Sequence, residues 1–233
     1  MIEPQNRDVG SARKLEGKVY ALLFYVGTPA NPITFEQQDV WGKELLEAED
    51  WLKRQAARYG KELEFFNAAY GMDGSLMLDY IPPGPEVPNA YFFPESVYQL
   101  LRFKNGWDVY EFIKTLTDCK QFISLVFCNC KGRSFACPTS TELVAFDSKK
   151  FFFESCVIYR YEALDYLQKS SPAGIAHEIL HLFGAADLYA HDESEREFEN
   201  KYRRIYPDSI MLGSPFGLQY NEVDELTATL VGW

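Results

Sequence analysis

The hydrophobic pattern predicts a strand, a helix and a second strand in the first 70 residues. An almost continuous apolar run at 18–26 is typical of a strand that is buried on both faces. Between residues 34 and 59, apolar positions recur every three or four residues among charges, which indicates a helix that ends at Gly60. A second strand is predicted at 63–70. Together these elements form a βαβ unit, for which we expect a right-handed crossover.

The remaining patterns extend this α/β arrangement. Residues 81–94 contain five prolines and predict an irregular loop. Helical pieces are expected within 96–116, with a break near Asn105 and Gly106. The other predicted elements are strands at 121–128, 142–147 and 155–160, a helix at 163–184 that starts or breaks at Pro172, a charged helix within 188–204, and a closing helix at 221–230 capped by Asn221.

One stretch of the chain places potential metal ligands and a base around a single point. On a helix, His177 and His181 project from one face about 6 Å apart, so both imidazoles can reach one ion. Glu178 lies one position further round, where it suits a general base better than a ligand. Gly184 is a natural helix end, since glycine adopts positive φ without penalty. The chain can then reverse and bring Asp187 back as a third ligand.

This ligand set predicts hydrolytic zinc chemistry. Three protein ligands leave a fourth position open for water, as catalytic zinc sites require. Imidazole nitrogens and a carboxylate oxygen suit Zn²⁺, although nickel, cobalt or iron could occupy the same ligands. The alternative is that the pattern has no chemical function, with His177 and His181 as core histidines and Glu178 as a solvated side chain. This alternative is disfavoured because two of the three histidines in the chain fall within the pattern.

The HExxHxxGxxD pattern that begins at His177 resembles the long zinc-binding signature of the metzincin metallopeptidases. Aspartate at the last position is similar to the snapalysin-like branch. Residues 209–213, centred on Met211, resemble the Met-turn that lies under the zinc in this family. The resemblance implies a zinc-dependent endopeptidase that cleaves a peptide or protein substrate, with Glu178 as the base.

The same resemblance implies an organisation for the chain, which we expect to form one α/β (α+β) catalytic domain over 1–233. An N-terminal subdomain, 18–184, would hold a mixed twisted sheet and the active-site helix. A small, mainly irregular or helical C-terminal subdomain, 185–233, would hold the third ligand, the Met-turn and the closing helix. In this family an antiparallel edge strand pairs with extended substrate, a role implied here for 142–147 or the segment just before it.

The sequence leaves two features of the site undecided, the identity of the third ligand and that of a transition-state-stabilising tyrosine. His191 lies four residues after Asp187 and could replace it as the third ligand. Some metzincin branches carry a tyrosine two residues after the Met-turn methionine, where this chain has Gly213. The candidates for a transition-state-stabilising tyrosine are therefore Tyr189, Tyr206 and Tyr220.

Charge and cysteine content narrow the expected partners and compartment. The 34 acidic and 23 basic residues give a formal charge of −11. This charge disfavours binding to nucleic acid and to anionic membranes, and it is compatible with a basic peptide as partner. Residues 1–17 are polar and show no secretion signal. Five cysteines, an odd number, favour reduced thiols and a cytoplasmic location over a disulfide framework.

Alternatives to this interpretation concern a second metal and the function itself. Cys128, Cys130 and Cys137 could bind a structural zinc, but their spacing is poor for a zinc knuckle, and free or buried thiols are the expectation. A non-catalytic zinc-binding interaction protein is one alternative function. A zinc amide hydrolase that acts on a non-protein substrate is another.

Overall fold

The computed structural model describes residues 9–27, 31–69, 78–79, 93–162, 171–213 and 217–233. They form a mixed α/β fold in which helices cover both faces of a mostly parallel sheet. The strands are β1 (Gly17–Gly27), β2 (Leu63–Ala69), β3 (Leu78–Asp79), β4 (Gln121–Gly132), β5 (Phe135–Cys137) and β6 (Ser155–Glu162). The α-helices are α1 (Phe35–Arg58), α2 (Phe93–Leu100), α3 (Gly106–Lys114), α4 (Thr141–Phe146), α5 (Pro172–Leu182), α6 (Arg196–Ile205) and α7 (Glu225–Val231).

The sheet has the strand order β2-β1-β4-β6-β5, and the short β3 pairs with the end of β1. β1 is parallel to β2 and β4, and β4 is parallel to β6. Among the described strands, β5 alone is antiparallel, and it pairs with β6 at the edge of the sheet. The α/β class and the parallel β1–α1–β2 unit are thus confirmed.

Two hydrophobic cores lie on opposite faces of this sheet. On β1, Val19 and Leu23 pack into the core that includes α1 and α5. Leu22 and Phe24 of the same strand pack into the core that includes α2 and α3. Successive side chains of a strand point to opposite faces, so a nearly all-apolar strand is what two cores require. The helix with the two histidines, α5, is thereby held against α1 and the sheet.

Side-chain caps explain where three of the helices begin. Thr34 and Gln37 form a reciprocal capping box at the start of α1. Asn105 accepts a hydrogen bond from the N–H of Asp108 and so begins α3, at the predicted break. Ser171 caps α5, and Pro172 occupies its first turn, where a missing N–H carries no penalty. The predicted start at Pro172 is confirmed, and residues 163–170 lie outside the described residues.

The prediction of a strand at 142–147 is wrong, because the structure has helix α4 there. Ser140 accepts a hydrogen bond from the N–H of Leu143 at 3.2 Å, which satisfies a donor of the first helical turn. This cap outweighs the weak strand preference of a short apolar segment. The antiparallel edge strand is β5, in the segment just before.

Two C-terminal elements also differ from the prediction. The charged segment is helical only from Arg196, after a 3-10 turn at Glu193–Glu195. The closing helix is capped by Asp224, which accepts a hydrogen bond from the N–H of Thr227 at 2.9 Å. Asn221 lies three positions before this cap, outside the helix, and its Nδ2 donates a hydrogen bond to the carbonyl of Gly217 at 2.7 Å.

Most of the proline-rich stretch at 81–94 lies outside the described residues, and its last two positions begin α2. Within the described ranges, no helix has both the length and the apolar character needed to cross a membrane. The division of the chain into subdomains at residue 184 stays a prediction.

Glu49 on α1 is a buried carboxyl group that makes stability depend on pH. The side chain is 1% exposed, and its Oε2 accepts a hydrogen bond from Asn67 Nδ2 at 3.0 Å. Burial raises the pKa of Glu49 to about 7, against the lowering effects of Asn67 and Lys53. The folded chain therefore holds this proton more tightly than the unfolded chain. Its contribution is complete below the ordinary pKa of 4.5 and is lost as the pH rises through 7.

We expect Glu49→Gln to raise the free energy of unfolding at pH 8 by about 1–3 kcal/mol, because the amide needs no deprotonation. Urea denaturation at pH 8 and pH 4.5 measures the effect, which should disappear at the lower pH. Glu47→Gln makes the same substitution at an exposed position of α1 and serves as the control. A gain of equal size at both pH values would contradict the assignment.

Candidate metal centre

Helix α5 presents two histidines on one face. His177 and His181 are separated by one helical turn, and their rings meet edge to face with centroids 4.6 Å apart. Their side chains are only 14% and 15% exposed. The helix backbone that carries them is fixed by its cap and by apolar residues in the core, such as Ile179 and Leu180. Both imidazoles are therefore held in place before any ligand binds.

The chain reverses after α5 and brings Asp187 back to the histidines. Gly184 has a φ of +102°, which an L side chain rarely adopts, and so permits the turn. Asp187 Oδ1 lies 3.1 Å from His181 Nε2 and 3.3 Å from His177 Nε2. The two Nε2 atoms are 3.0 Å apart. The three side chains predicted as ligands thus converge on one point.

Hydrogen bonds to main-chain carbonyls orient both rings. His177 Nδ1 lies 3.1 Å from the carbonyl oxygen of Ile210, and His181 Nδ1 lies 2.8 Å from that of Ala185. A carbonyl oxygen only accepts, so each Nδ1 carries a hydrogen, and in the neutral ring each Nε2 is a bare acceptor. Metal-binding histidines in proteins typically have their second nitrogen engaged in this way.

The donor set and its spacing fit a zinc ion. Two Nε2 atoms and a carboxylate oxygen that face one another repel unless a cation lies between them. Ligand atoms at about 2.0–2.1 Å in a tetrahedral zinc site would be about 3.3 Å apart. The observed separations of 3.0–3.3 Å differ from this by only a few tenths of an ångström.

The electrostatics of the cluster favour bound positive charge. Burial lowers the pKa of His181, but the hydrogen bond and charge of Asp187, with the charge of Glu178, outweigh it and raise the pKa above its ordinary value. Burial raises the pKa of Asp187, but the hydrogen bonds and charges of His177 and His181 hold it well below its usual range. A proton and a metal ion would therefore compete for this cluster.

Glu178 is placed beside the cluster rather than within it. Its side chain is 7% exposed. Burial and then the negative charge of Glu178 raise the pKa values of Cys137 and Cys156, and the same charge adds to the effect of Asp187 on the pKa of His181. Glu178 is thus a buried carboxyl group that follows His177 on α5 and acts electrostatically on His181, and its role as a general base stays a prediction.

A 3-10 turn at Ile210–Leu212 supports the cluster from the C-terminal part of the chain. Met211 at its centre is fully buried, and its carbonyl accepts a hydrogen bond from the N–H of Leu188 at 2.8 Å. Ser209 Oγ accepts from the N–H of Met211 at 3.2 Å and donates to Asp224 Oδ2 at 2.6 Å. Asp224 also caps α7, so this cap, the turn and the ring of His177 are linked.

Of the three candidate tyrosines, Tyr189 lies at the cluster. Its ring stacks near that of His177, with centroids 6.4 Å apart. Burial and then the charge of Asp187 raise the pKa of Tyr189 to about 12. Tyr206 stacks on another tyrosine and Tyr220 is 64% exposed, and neither makes a hydrogen bond or ring contact with the described residues of the cluster.

Two residues complete the surroundings of Tyr189. Arg133, from the β4–β5 connection, donates a hydrogen bond from Nη2 to the Tyr189 hydroxyl at 3.0 Å. Gly213 has a φ of +71°, and a Cβ there would lie 3.0 Å from the Tyr189 ring. The sequence carried no signal for Arg133, because the contact joins residues 56 positions apart.

The structure bears on both alternatives for metal ligation, His191 and the three clustered cysteines. His191 is half exposed, and its Nε2 lies 3.2 Å from Asp187 Oδ2, so Asp187 rather than His191 faces the two helix histidines. The cysteines are free thiols, and Cys128, Cys130 and Cys137 do not form a three-ligand group. In the described parts of the chain, His177, His181 and Asp187 are the one such group.

Comparisons with protein-family models, with curated proteins and with solved structures found no match to this chain.

We expect one equivalent of Zn²⁺ to bind and to raise the unfolding temperature in a chelator-reversible manner. At free zinc 100 times the dissociation constant, the stabilisation should be about 2.7 kcal/mol. His181→Ala should abolish the shift, because two protein ligands remain where three are needed. Metal analysis and thermal unfolding measure both effects. Tight zinc binding by folded His181→Ala protein would contradict the assignment.

Proposed function

We propose that this chain is a zinc-dependent peptidase, an endopeptidase of the metzincin type in its snapalysin-like form. His177, His181 and Asp187 hold the metal, and Glu178 is the general base. The observation that carries the proposal is the convergence of two carbonyl-oriented imidazoles and one carboxylate on a single point, with a second, buried carboxyl group beside them.

The chemistry follows from these positions. His177, His181 and Asp187 would hold a Zn²⁺ ion, which when bound would supply polarisation of the scissile carbonyl and a water whose pKa is lowered towards about 7. Glu178 takes a proton from the attacking water and returns it to the leaving amine, so the amine departs neutral. Burial of Glu178 keeps bulk water from competing for that proton.

Tyr189 supplies the hydrogen bond that stabilises the developing oxyanion. Arg133 donates to the phenol oxygen, and the hydroxyl also interacts with Asp187, so its hydrogen is directed towards the cluster. In other metzincin branches a tyrosine follows the Met-turn methionine by two residues. Gly213 occupies that position here, and the Tyr189 ring lies in the space that a side chain would need.

The edge strand favours a peptide over a small amide as the substrate. β5 lies at the sheet edge and packs against α5, which carries the two histidines. Among the described strands, only β6 pairs with β5. An extended peptide can add to such an edge through main-chain hydrogen bonds. The charge of −11 suits a neutral or basic peptide.

The C-terminal part of the chain supports the metzincin assignment. After α5, the chain carries Asp187, then the buried Met211 turn, and then the closing helix α7. This is the order that the family resemblance implies. The Met211 turn contacts α5 through His177, which is the relation expected of a Met-turn.

Glu178→Ala should retain zinc but lower kcat by about 10²–10⁴-fold, the usual contribution of general acid–base catalysis. Mass spectrometry of a peptide library, with and without chelator, measures cleavage, and metal analysis measures loading. An active, zinc-loaded Glu178→Ala protein would contradict the role of the base.

Zinc binding by the unaltered protein without any hydrolysis would favour an interaction protein, and cleavage of small amides alone would favour an amide hydrolase.

Tyr189→Phe should lower kcat by about 10²–10³-fold, as loss of one oxyanion donor typically does, with little change in KM. The steady-state kinetics of the best library peptide provide the measurement. Tyr206→Phe and Tyr220→Phe remove the same hydroxyl away from the cluster and are the controls. A rise in KM alone would place Tyr189 in substrate binding instead.

A further inference from the structure

The charged insert, residues 192–205, lies between the third ligand and the Met211 turn. It consists of the 3-10 turn at Glu193–Glu195 and helix α6. Its side chains are mostly exposed and charged, and none of them belongs to the metal cluster. The proposed function gives this segment no role.

Two glutamates of the charged insert hold the main chain that follows Asp187. Glu199 Oε2 accepts a hydrogen bond from the N–H of Ala190 at 3.0 Å. Glu195 Oε2 accepts one from the N–H of His191 at 2.9 Å. Arg203 donates to the other oxygen of Glu199 at 2.6 Å, so this carboxylate is held from both sides.

The charged insert is itself anchored to the protein core. Tyr202 of α6 is 6% exposed and belongs to the same hydrophobic core as the apolar residues of α5. The ring of Phe198 packs on that of Tyr202, with centroids 4.5 Å apart. Because α6 is fixed on this side, its glutamates can restrain the loop that carries Asp187.

The restrained residue, His191, contacts the oxygen of Asp187 that faces away from the cluster. His191 Nε2 lies 3.2 Å from Asp187 Oδ2, whereas Oδ1 faces His177 and His181. The Tyr189 ring packs against His191 with centroids 4.9 Å apart, which limits rotation of the imidazole. The two carboxylate oxygens of Asp187 thus have separate neighbours.

We propose that His191 is a positioning residue of the metal centre. Its ring N–H is donated to Asp187 Oδ2, the charged insert holds His191 in place, and Asp187 is thereby oriented to bind metal through Oδ1. Outer partners that orient a ligand in this way are typically worth about 10–100-fold in metal affinity. This inference rests on the proposed metal site, but it does not depend on peptidase activity.

Zinc affinity of His191 variants, measured by competition with a chromophoric chelator, tests the proposal. His191→Leu should weaken zinc binding by about 10–100-fold, because it removes the donor to Oδ2. His191→Gln should keep most of the affinity, since its amide N–H can replace the ring donor. Unchanged affinity in His191→Leu would overturn the proposal. Thermal unfolding of the metal-free proteins controls for loss of the fold.

Cobalt substitution separates a positioning role from direct ligation. If His191 is a positioning residue, Co²⁺-loaded wild type and His191→Leu share the same ligands and should have the same visible spectrum at saturating metal. A changed spectrum in His191→Leu, with equal loss of affinity in His191→Gln, would make His191 a ligand and overturn the proposal.

A matched pair of variants tests the contribution of the charged insert. Glu199→Ala removes the contact with the Ala190 N–H and should weaken zinc binding in the same direction as His191→Leu. Glu197→Ala removes the same charge from an exposed position of α6 that makes no described contact with the loop, and should leave the affinity unchanged. Equal effects of both variants would indicate simple charge loss and overturn the role of the charged insert.

Failure of the wild type to bind zinc would overturn the metal site, and failure to cleave peptides would not affect this test.

Discussion

Three electron-pair donors, two imidazole nitrogens and a carboxylate oxygen, are held face to face in a largely buried position, and the surrounding structure keeps them there. Such an arrangement is electrostatically unfavourable unless a cation occupies its centre. His177 and His181 are fixed by a helix that is packed against α1 and the sheet. Asp187 is brought in by the turn at Gly184. The favourable free energy of core packing therefore keeps these three side chains close together, where their mutual repulsion would otherwise separate them.

Orientation of the two histidines depends on distant parts of the chain. The carbonyl of Ile210 that accepts from His177 belongs to a turn tied to Asp224 through Ser209. A cap of the closing helix thus contributes to the tautomer of His177. Helix α5 carries two members of the cluster, whereas the segments after it supply Asp187 and the carbonyl groups that orient both imidazoles.

The short loop 187–191 is contacted by two segments that are distant in sequence from each other. Arg133 donates to the hydroxyl of Tyr189, and the ring of Tyr189 lies against Gly213 and His191. Glu195 and Glu199 of the charged insert accept hydrogen bonds from the main chain of His191 and Ala190. These contacts hold the loop that brings Asp187 to the two histidines.

The sequence alone determined the features that depend on local spacing. Strongly apolar runs became the buried parallel strands, and two histidines four residues apart on a helix met at one point with Asp187, after the turn at Gly184. These results follow from helix and strand periods, which need no knowledge of distant residues.

Tertiary structure decided the features that depend on long-range contacts. Residues 142–147 form a helix rather than the predicted strand, since a short apolar segment carries no clear period and Ser140 supplies a cap. Tyr189 lies beside His177 because the fold places its ring against Gly213 and its hydroxyl within reach of Arg133. His191 lies on the outer oxygen of Asp187 because the fold of the loop places it there. No local pattern encodes these contacts, since each joins segments that only the packed chain brings together.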